Sequence, residues 1–207
     1  MCRGGCVVRT NGETVRLDDP RVKIRFPNFS QYHSESLAKA ARWLGLNVGE
    51  TVPLERNQLD QGLKHTSGRE CLPLPICIGQ LLQIGERRPS DEITGLYMVR
   101  GGAPCVSDCY MGYLERFIAE ERLPDLFLLN PGPENGWCGI DRIALVQSVS
   151  AAIQMADILV EIEQVLNAVG LPGSVDQLRA KWRAFLDEAR SLDEFTANMP
   201  GFIAAGV

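Results

Sequence analysis

The sequence predicts an α/β fold, with a small doubly wound, mainly parallel sheet and a helical C-terminal extension. Three observations predict it. Strand-type and helix-type segments alternate along the first two thirds of the chain, an order that favours a parallel sheet with right-handed crossovers. The segment Val22–Phe26 alternates apolar and basic residues, which is the period-two pattern of a strand. From about residue 140 to residue 190 the pattern is helical.

Four segments are predicted as strands of this sheet. They end where proline or glycine interrupts the pattern, because proline cannot donate to a ladder of hydrogen bonds. Pro27 follows the first segment, Pro53 follows the second, and Asn130-Pro131-Gly132-Pro133 breaks the last. The predicted strands are Val22–Phe26, Leu46–Val52, Glu92–Val99 and Leu126–Leu129.

Helical patterns account for the segments between and after the strands. Ser34 and Ser36 suit the start of the first helix and Gly45 its end. Pro73 and Pro75 suit the first turn of a helix, where no N–H donor is required. The predicted helices cover about residues 34–44, 57–64, 73–82, 110–121, 140–169 and 175–190. The resulting domain organisation is a leader or the end of an upstream segment at 1–20, an α/β domain with C-terminal helices at 21–190, and a tail at 191–207.

Composition limits the classes of function. Of the 207 residues 45% are hydrophobic and 23% are charged, the usual balance of a soluble globular protein. The formal net charge is −5 and the basic residues are scattered, which argues against nucleic acid or an anionic membrane as a partner. No apolar run reaches the roughly 18 residues that a membrane helix needs, and the N-terminus lacks the apolar core of a signal peptide. We therefore expect a cytoplasmic protein.

Seven cysteines are an unusually high number for a chain of this length. Without a sign of export, a disulfide framework is the weaker interpretation, which leaves buried thiols, a metal site or a redox centre. Cys71 lies at the predicted start of a helix and Cys105 directly after a predicted strand. Both positions belong to the carboxyl edge of the sheet, where ligands of open α/β sheets bind. Helix N-termini favour thiolates, so these two cysteines are the first candidates for metal ligation.

Three motifs resemble the 2-hydroxyacyl-CoA dehydratase superfamily, most closely its large activase-related proteins. They are Gly68-Arg69-Glu70-Cys71-Leu72-Pro73, Gly79-Gln80-Leu81-Leu82, and Ala103-Pro104-Cys105 with Tyr110 five residues on. The resemblance covers roughly residues 22–187. It implies a [4Fe–4S] cluster, with Cys71 and Cys105 as thiolate ligands, in low-potential electron transfer or radical dehydration of acyl-CoA thioesters.

The chain departs from the family pattern in two ways. Pro104-Cys105-Val106-Ser107-Asp108-Cys109-Tyr110 has Val106 where the family usually has arginine and Cys109 where it usually has glutamine. Cys109 lies one helical turn from Cys105, and we take it as the third ligand. No phosphate-binding loop of the activases is found. The resemblance therefore implies the cluster-type domain alone, which needs a partner: a second cluster-bearing half, an activating ATPase or another copy of this chain.

The motifs leave a second function open. The alternative to an iron–sulfur enzyme component is a non-catalytic, activase-related partner or scaffold with structural or vestigial cysteines. Whether the chain is itself an enzyme, a dehydratase component or an activase component is not decided by the motifs. Among the remaining cysteines, Cys77 is predicted in the core and Cys2 and Cys6 in the leader, while Cys138, beside Trp137 in a glycine-rich loop, is a minor candidate that could reach the site. Glu70 is predicted to bond a backbone amide at the helix start, and His65 to be structural.

Overall fold

The computed structural model describes residues 2–98, 107–170 and 172–206. These residues form six short strands and seven α-helices. The strands are β1 (Cys2–Arg3), β2 (Cys6–Val8), β3 (Thr14–Arg16), β4 (Val22–Arg25), β5 (Ile93–Tyr97) and β6 (Leu126–Leu129). The helices are α1 (Gln31–Trp43), α2 (Arg56–Leu63), α3 (Pro73–Arg87), α4 (Ser107–Glu120), α5 (Arg142–Val169), α6 (Ser174–Glu188) and α7 (Leu192–Gly206), with a 3₁₀ segment at Pro133–Gly139.

A three-stranded parallel sheet forms the centre of the protein, in the order β4-β5-β6. Its register aligns Ile24 with Gly95 and Gly95 with Phe127. Gly95 suits this middle position, because a Cβ atom there would come within 2.5 Å of the Phe127 ring and 2.8 Å of the Ile24 side chain. The mixed α/β fold class, the parallel sheet and three of the four predicted strands are confirmed. Val99, the last residue of the third prediction, lies outside the described residues.

The predicted strand at Leu46–Val52 is wrong as a regular strand. Only Val48 pairs, as an isolated parallel bridge to Ile24 on the outer edge of β4. Two hydrogen bonds make this contact: the Ile24 N–H donates to the Asn47 carbonyl, and the Gly49 N–H donates to the Ile24 carbonyl. The chain then leaves the sheet, and the Val52 carbonyl accepts instead from the Asn28 side chain. The prediction located the segment correctly but not its conformation.

Apolar residues cover both faces of the sheet. One face carries Ile24, Phe127 and Leu129 and packs against α1 and α5. The other face carries Leu96 and Leu128 and packs against α3 and α4. Helices therefore lie on both sides of the sheet.

Helices α5, α6 and α7 build a third apolar cluster around Trp182, which is fully buried. Phe195 of α7 packs edge-on against Trp182, with ring centroids 6.3 Å apart, and also contacts Trp43 at 5.3 Å. Residues 192–206, within the predicted tail, are thus helical and partly buried. By length and composition alone α5 is apolar enough to cross a membrane, a test that core helices of soluble proteins also pass.

Residues 2–16, within the predicted leader, form a small antiparallel sheet in the order β1-β2-β3. Val7 and Val15 from this sheet join the core around α1. Arg9 pairs with Asp125 just before β6, with 2.8 Å between Nη2 and Oδ2. The Thr10 N–H donates to Asp125 Oδ1, and the Asp125 N–H donates to Thr10 Oγ1. These contacts attach the N-terminal residues to the central sheet.

Candidate thiol site at the start of α3 and α4

Cys71 lies on the surface directly before α3. Its side chain is exposed, and its carbonyl accepts a hydrogen bond from the Leu74 N–H at 3.0 Å. Pro73 is the first residue of the helix, as the sequence predicts. Because Pro73 and Pro75 carry no N–H, and the Leu74 N–H is already used, the first turn of α3 has few backbone donors left for a ligand. The helix dipole remains as the favourable influence on a thiolate.

Tyr110 joins Cys71 to the start of α4. The Cys71 N–H donates to the Tyr110 hydroxyl oxygen at 3.0 Å, across 39 residues of chain. Tyr110 is the fourth residue of α4, and Cys109 is the third. The structure therefore brings Cys71 to the first turn of the helix that directly follows Cys105. Cys105 itself lies outside the described residues, so its proximity to Cys71 stays a prediction.

Cys109 is exposed, like Cys71. Its position in the first turn of α4 means that its own N–H has no partner within the helix. On the same helix Tyr113 donates its hydroxyl proton to the His65 carbonyl. His65 also stacks edge-on against Phe117, with ring centroids 5.0 Å apart. The connection between α2 and α3, which carries Cys71, is thus bound to α4 at both of its ends.

Glu70 organises the turn before Cys71 and does not cap α3. Its carboxylate accepts from the N–H and hydroxyl of Ser67 and from the Arg69 N–H, at 2.9 to 3.2 Å. The hydrogen bond from the Ser67 hydroxyl is the main reason that the pKa of Glu70 lies below its ordinary value. The predicted bond of Glu70 to a backbone amide at the helix start is therefore wrong, because its carboxylate accepts from residues of the preceding turn.

Two other cysteines are buried. Cys77 is 2% exposed in the cluster between α3 and α4, which confirms its prediction as a core residue. Burial raises the pKa of its thiol to about 12, so Cys77 holds its proton at neutral pH. Cys138 is 1% exposed and lies in the core on the opposite face of the sheet.

The backbone around Cys138 is strained. Four consecutive residues, Gly136, Trp137, Cys138 and Gly139, have positive φ angles of 63°, 56°, 53° and 75°. Non-glycine residues rarely adopt this left-handed region. Gly5 of the N-terminal sheet packs on this turn, since a Cβ atom at Gly139 would lie 3.1 Å from the Gly5 backbone. The turn therefore has a packing role, which no sequence motif predicts.

A cavity between the C-terminal helices and the start of α1 lies away from the exposed thiols. It has a volume of about 680 Å³ and opens beyond the carboxyl end of β4, next to Ser30 at the start of α1. Its far wall carries two ion pairs, Arg179 with Glu163 and Arg183 with Glu35. Neither Cys71 nor Cys109 lines it. The cysteines are thus on an open surface.

The described residues contain no complete metal site. No group of three or more His, Cys, Asp or Glu side chains among residues 2–98, 107–170 and 172–206 could hold a metal ion. Cys71 and Cys109 are both exposed at helix starts, and Tyr110, the residue after Cys109, accepts the hydrogen bond from the Cys71 N–H. Cys105, four residues before Cys109, lies outside the described residues.

No family model, curated protein or solved structure matches the chain. The resemblance to the dehydratase superfamily therefore rests on the sequence motifs. Sequence reasoning included Tyr110 only as part of a motif and missed Tyr113 altogether. A signal was present: the two tyrosines are three residues apart, on one face of a helix that follows a candidate ligand.

Proposed function

We propose that this chain is an iron–sulfur protein of the 2-hydroxyacyl-CoA dehydratase or activase system, with Cys71, Cys105 and Cys109 binding one [4Fe–4S] cluster. One observation carries the proposal. The hydrogen bond from the Cys71 N–H to Tyr110 brings two distant motifs, separated by 39 residues, to one place on the surface. These are the motifs on which the family resemblance rests.

The roles of the cysteines follow from exposure and protonation. A cluster ligand has to be a thiolate. Cys71 and Cys109 are exposed, which suits that role. Cys77 is unsuited, because burial in an apolar cluster keeps its thiol protonated. When bound, the cluster would supply one-electron chemistry at a potential set by its surroundings.

The site suits a protein partner. Exposed apolar residues lie next to the thiols: Leu72 is 58% exposed and Tyr113 is 41% exposed. A partner that covered them would exclude water and oxygen from the cluster. A second cluster-bearing half, an activating ATPase or a second copy of this chain would each fit, with an acyl-CoA thioester held between the partners. Free thiols at the surface are consistent with the reducing cytoplasm of an anaerobic cell.

We extend the proposal to the topology of the sheet. If the Val48 segment is counted as an edge strand, the spatial order becomes Val48 segment, β4, β5, β6. Helices on both faces support a doubly wound arrangement, with α5 to α7 as the C-terminal extension. In such sheets the ligand site lies beyond the carboxyl ends of the strands.

Anaerobic reconstitution with iron and sulfide tests the proposal. The expected result is about four iron and four sulfide per chain or per pair of chains, as a [4Fe–4S] centre requires. The variants Cys71→Ser, Cys105→Ser and Cys109→Ser should each lose most of the iron. Cys77→Ser is the matched control, and it should retain the iron. Full iron content in Cys71→Ser or Cys105→Ser would sink the proposal.

The alternative is a non-catalytic scaffold whose cysteines have no ligand. The described residues alone make no three-ligand group, which is compatible with both candidates because Cys105 lies outside them. The same reconstitution separates the two. A folded protein that takes up no iron from an anaerobic mixture supports the scaffold.

A further inference from the structure

The cavity beyond the carboxyl end of β4 has the size of a small-molecule site. Its volume is about 680 Å³, and ligand pockets measure roughly 300 to 1,000 Å³. It lies between the start of α1, residues 51–54 and helices α5 and α6. In open α/β sheets ligands bind beyond the carboxyl ends of the strands. The proposed cluster makes no use of this cavity, because neither exposed cysteine lines it.

Asn28 lines the cavity and carries a buried acceptor without a donor. The residue is 6% exposed. Its backbone N–H and carbonyl both bond to the Gln80 side chain, at 2.9 and 2.8 Å, and its Nδ2 donates to the Val52 carbonyl. The Oδ1 atom accepts from no group in the described part of the chain. Exchanging Oδ1 and Nδ2 would only deprive Val52 of its donor, so the cavity calls for a ligand that donates.

Glu35 brings a second acceptor of this kind to the same cavity. Its Oε1 accepts from Gln31 Nε2 at 2.8 Å and from Arg183 Nε at 3.2 Å. Its Oε2 is buried and has no partner among the described residues. An ammonium group has three donors and can serve two acceptors, whereas a hydroxyl has one donor. The two free acceptors therefore favour an ammonium group.

The start of α1 offers donors to the opposite kind of group. The Ser30 side chain does not cap the helix, and no acidic residue lies in its first turn. Within the described part of the chain, nothing accepts from the backbone N–H groups of residues 31–33. Such a helix N-terminus favours a carboxylate, which can accept from several N–H groups at once.

Charge and shape narrow the ligand further. The ionic side chains at the cavity cancel in pairs, Arg179 with Glu163 and Arg183 with Glu35, which suits a zwitterion better than a phosphate dianion. Two apolar side chains, Phe29 and Leu54, line the cavity while 45% and 55% exposed. A ligand with an apolar side chain would cover them.

We propose that this cavity binds an α-amino acid with a large apolar side chain. The carboxylate binds at the start of α1, the ammonium group donates to Asn28 Oδ1 and Glu35 Oε2, and the side chain packs against Phe29 and Leu54. The inference goes beyond the proposed function and does not depend on it, because no cluster takes part.

Isothermal titration calorimetry of the metal-free, full-length chain tests the ligand. L-phenylalanine and L-leucine are the probes, and at least one should bind with a Kd below about 1 mM. Three analogues of L-phenylalanine each change one group: the amide lacks the carboxylate, the N-acetyl derivative lacks the ammonium charge, and L-phenyllactate has a hydroxyl in place of the ammonium. Each should bind at least about tenfold more weakly, as the loss of a charged hydrogen bond implies.

Variants test the place of binding. Glu35→Gln should weaken binding at least about tenfold. Phe29→Ala should weaken it about fivefold through lost apolar contact, and it keeps the test valid if melting curves show Glu35→Gln to be unfolded. Leu63→Ala is the matched control, since Leu63 is 44% exposed but does not line the cavity, and its Kd should equal that of wild type.

Three results would overturn the inference. The first is no binding of either amino acid at about 10 mM, well above the expected Kd. The second is equal affinity for L-phenylalanine and L-phenyllactate, because the ammonium group would then have no role. The third is an unchanged Kd in Phe29→Ala and in folded Glu35→Gln, which would place the bound amino acid elsewhere.

Discussion

Gly62 of α2 lies so close to Pro75 of α3 that a Cβ atom on Gly62 would come within 1.7 Å of the Pro75 carbonyl oxygen. A second close contact joins the same two helices: a Cβ atom on Gly79 of α3 would lie 1.9 Å from the Gln58 carbonyl oxygen of α2. The two backbones touch because neither glycine has a side chain. The contact at Gly62 lies in the last turn of α2, directly before the connection that carries Cys71.

The first prediction is that Gly79→Ala destabilises the protein by about 3 kcal/mol, the upper part of the usual cost of overpacking a core. The obstructing atom belongs to the backbone, which cannot rotate away as a side chain could. Urea unfolding followed by circular dichroism measures the free energy of unfolding. Gly112→Ala is the control, because a Cβ atom at Gly112 of α4 meets nothing within 4 Å. It should gain about 0.5 to 1 kcal/mol from helix propensity.

The second prediction concerns pH and Asp125. The hydrogen bonds from Arg9 are the main reason that the pKa of Asp125 lies below its ordinary value in the folded protein. A carboxyl with a lowered pKa stabilises the fold above its unfolded pKa of about 3.9, and that stabilisation is lost as the pH falls through the folded pKa. Asp125→Asn should therefore have a lower melting temperature than wild type at pH 7, and the difference should shrink as the pH falls below about 4.

Melting curves between pH 3 and pH 7 check this. Asp18→Asn serves as the control, since Asp18 pairs with Arg16 and both side chains are well exposed. Its melting temperature should stay close to wild type at neutral pH, because exposed ion pairs contribute little. Equal melting temperatures of wild type and Asp125→Asn at pH 7 would mean that the contacts of Asp125 with the N-terminal residues do not stabilise the fold.

Phe195 supplies the third prediction. It is 1% exposed and lies among Trp43, Trp182 and Phe185. Phe195→Ala should cost about 3 to 5 kcal/mol, the usual loss for a buried aromatic side chain. Phe29→Ala is the control at a residue that is 45% exposed, and it should change the free energy of unfolding by less than about 1 kcal/mol. A small effect of Phe195→Ala would show that residues 192–206 are indeed a tail.

The sequence predicted the parallel strands because buried central strands are short, apolar and bounded by proline or glycine. Leu126–Leu129 has that form, while Val22–Arg25 shows the alternating pattern of a half-buried strand. The Leu46–Val52 prediction failed because the pattern of apolar residues cannot distinguish an edge strand from an extended segment that makes one bridge. Whether the segment around Val48 continues as a strand depends on tertiary contacts. Here the Asn28 side chain donates a hydrogen bond to the Val52 carbonyl.

The N-terminal sheet and α7 could not be predicted for different reasons. Strands of two or three residues are too short to have a period. In α7, Pro200 lies inside the helix and reads as a helix breaker in the sequence. For the site, the motifs predicted that Cys71 starts a helix, and the structure agrees. The contact with Tyr110 joins residues 39 apart, and no local pattern encodes it.

The last prediction is the order in which the cysteines of the folded, metal-free protein react with a thiol reagent. Cys71 and Cys109 are exposed and should be modified at the rate of a free surface thiol. Cys77 is buried with a raised thiol pKa, and Cys138 is buried in a strained turn. Both should react only when the protein opens, at least about a thousandfold more slowly, as the stability of an ordinary domain implies.

Mass spectrometry of peptides after timed labelling with N-ethylmaleimide at pH 7 measures all four thiols in one sample. Denaturation in urea is the internal control, because it should bring the four rates together. Cys77 labelled as fast as Cys109 in the folded protein would place Cys77 at the surface. It would then also compete as a cluster ligand, because burial is what keeps its thiol protonated. Slow labelling of both Cys77 and Cys138, with Cys71 and Cys109 fast, is the result that the structure predicts.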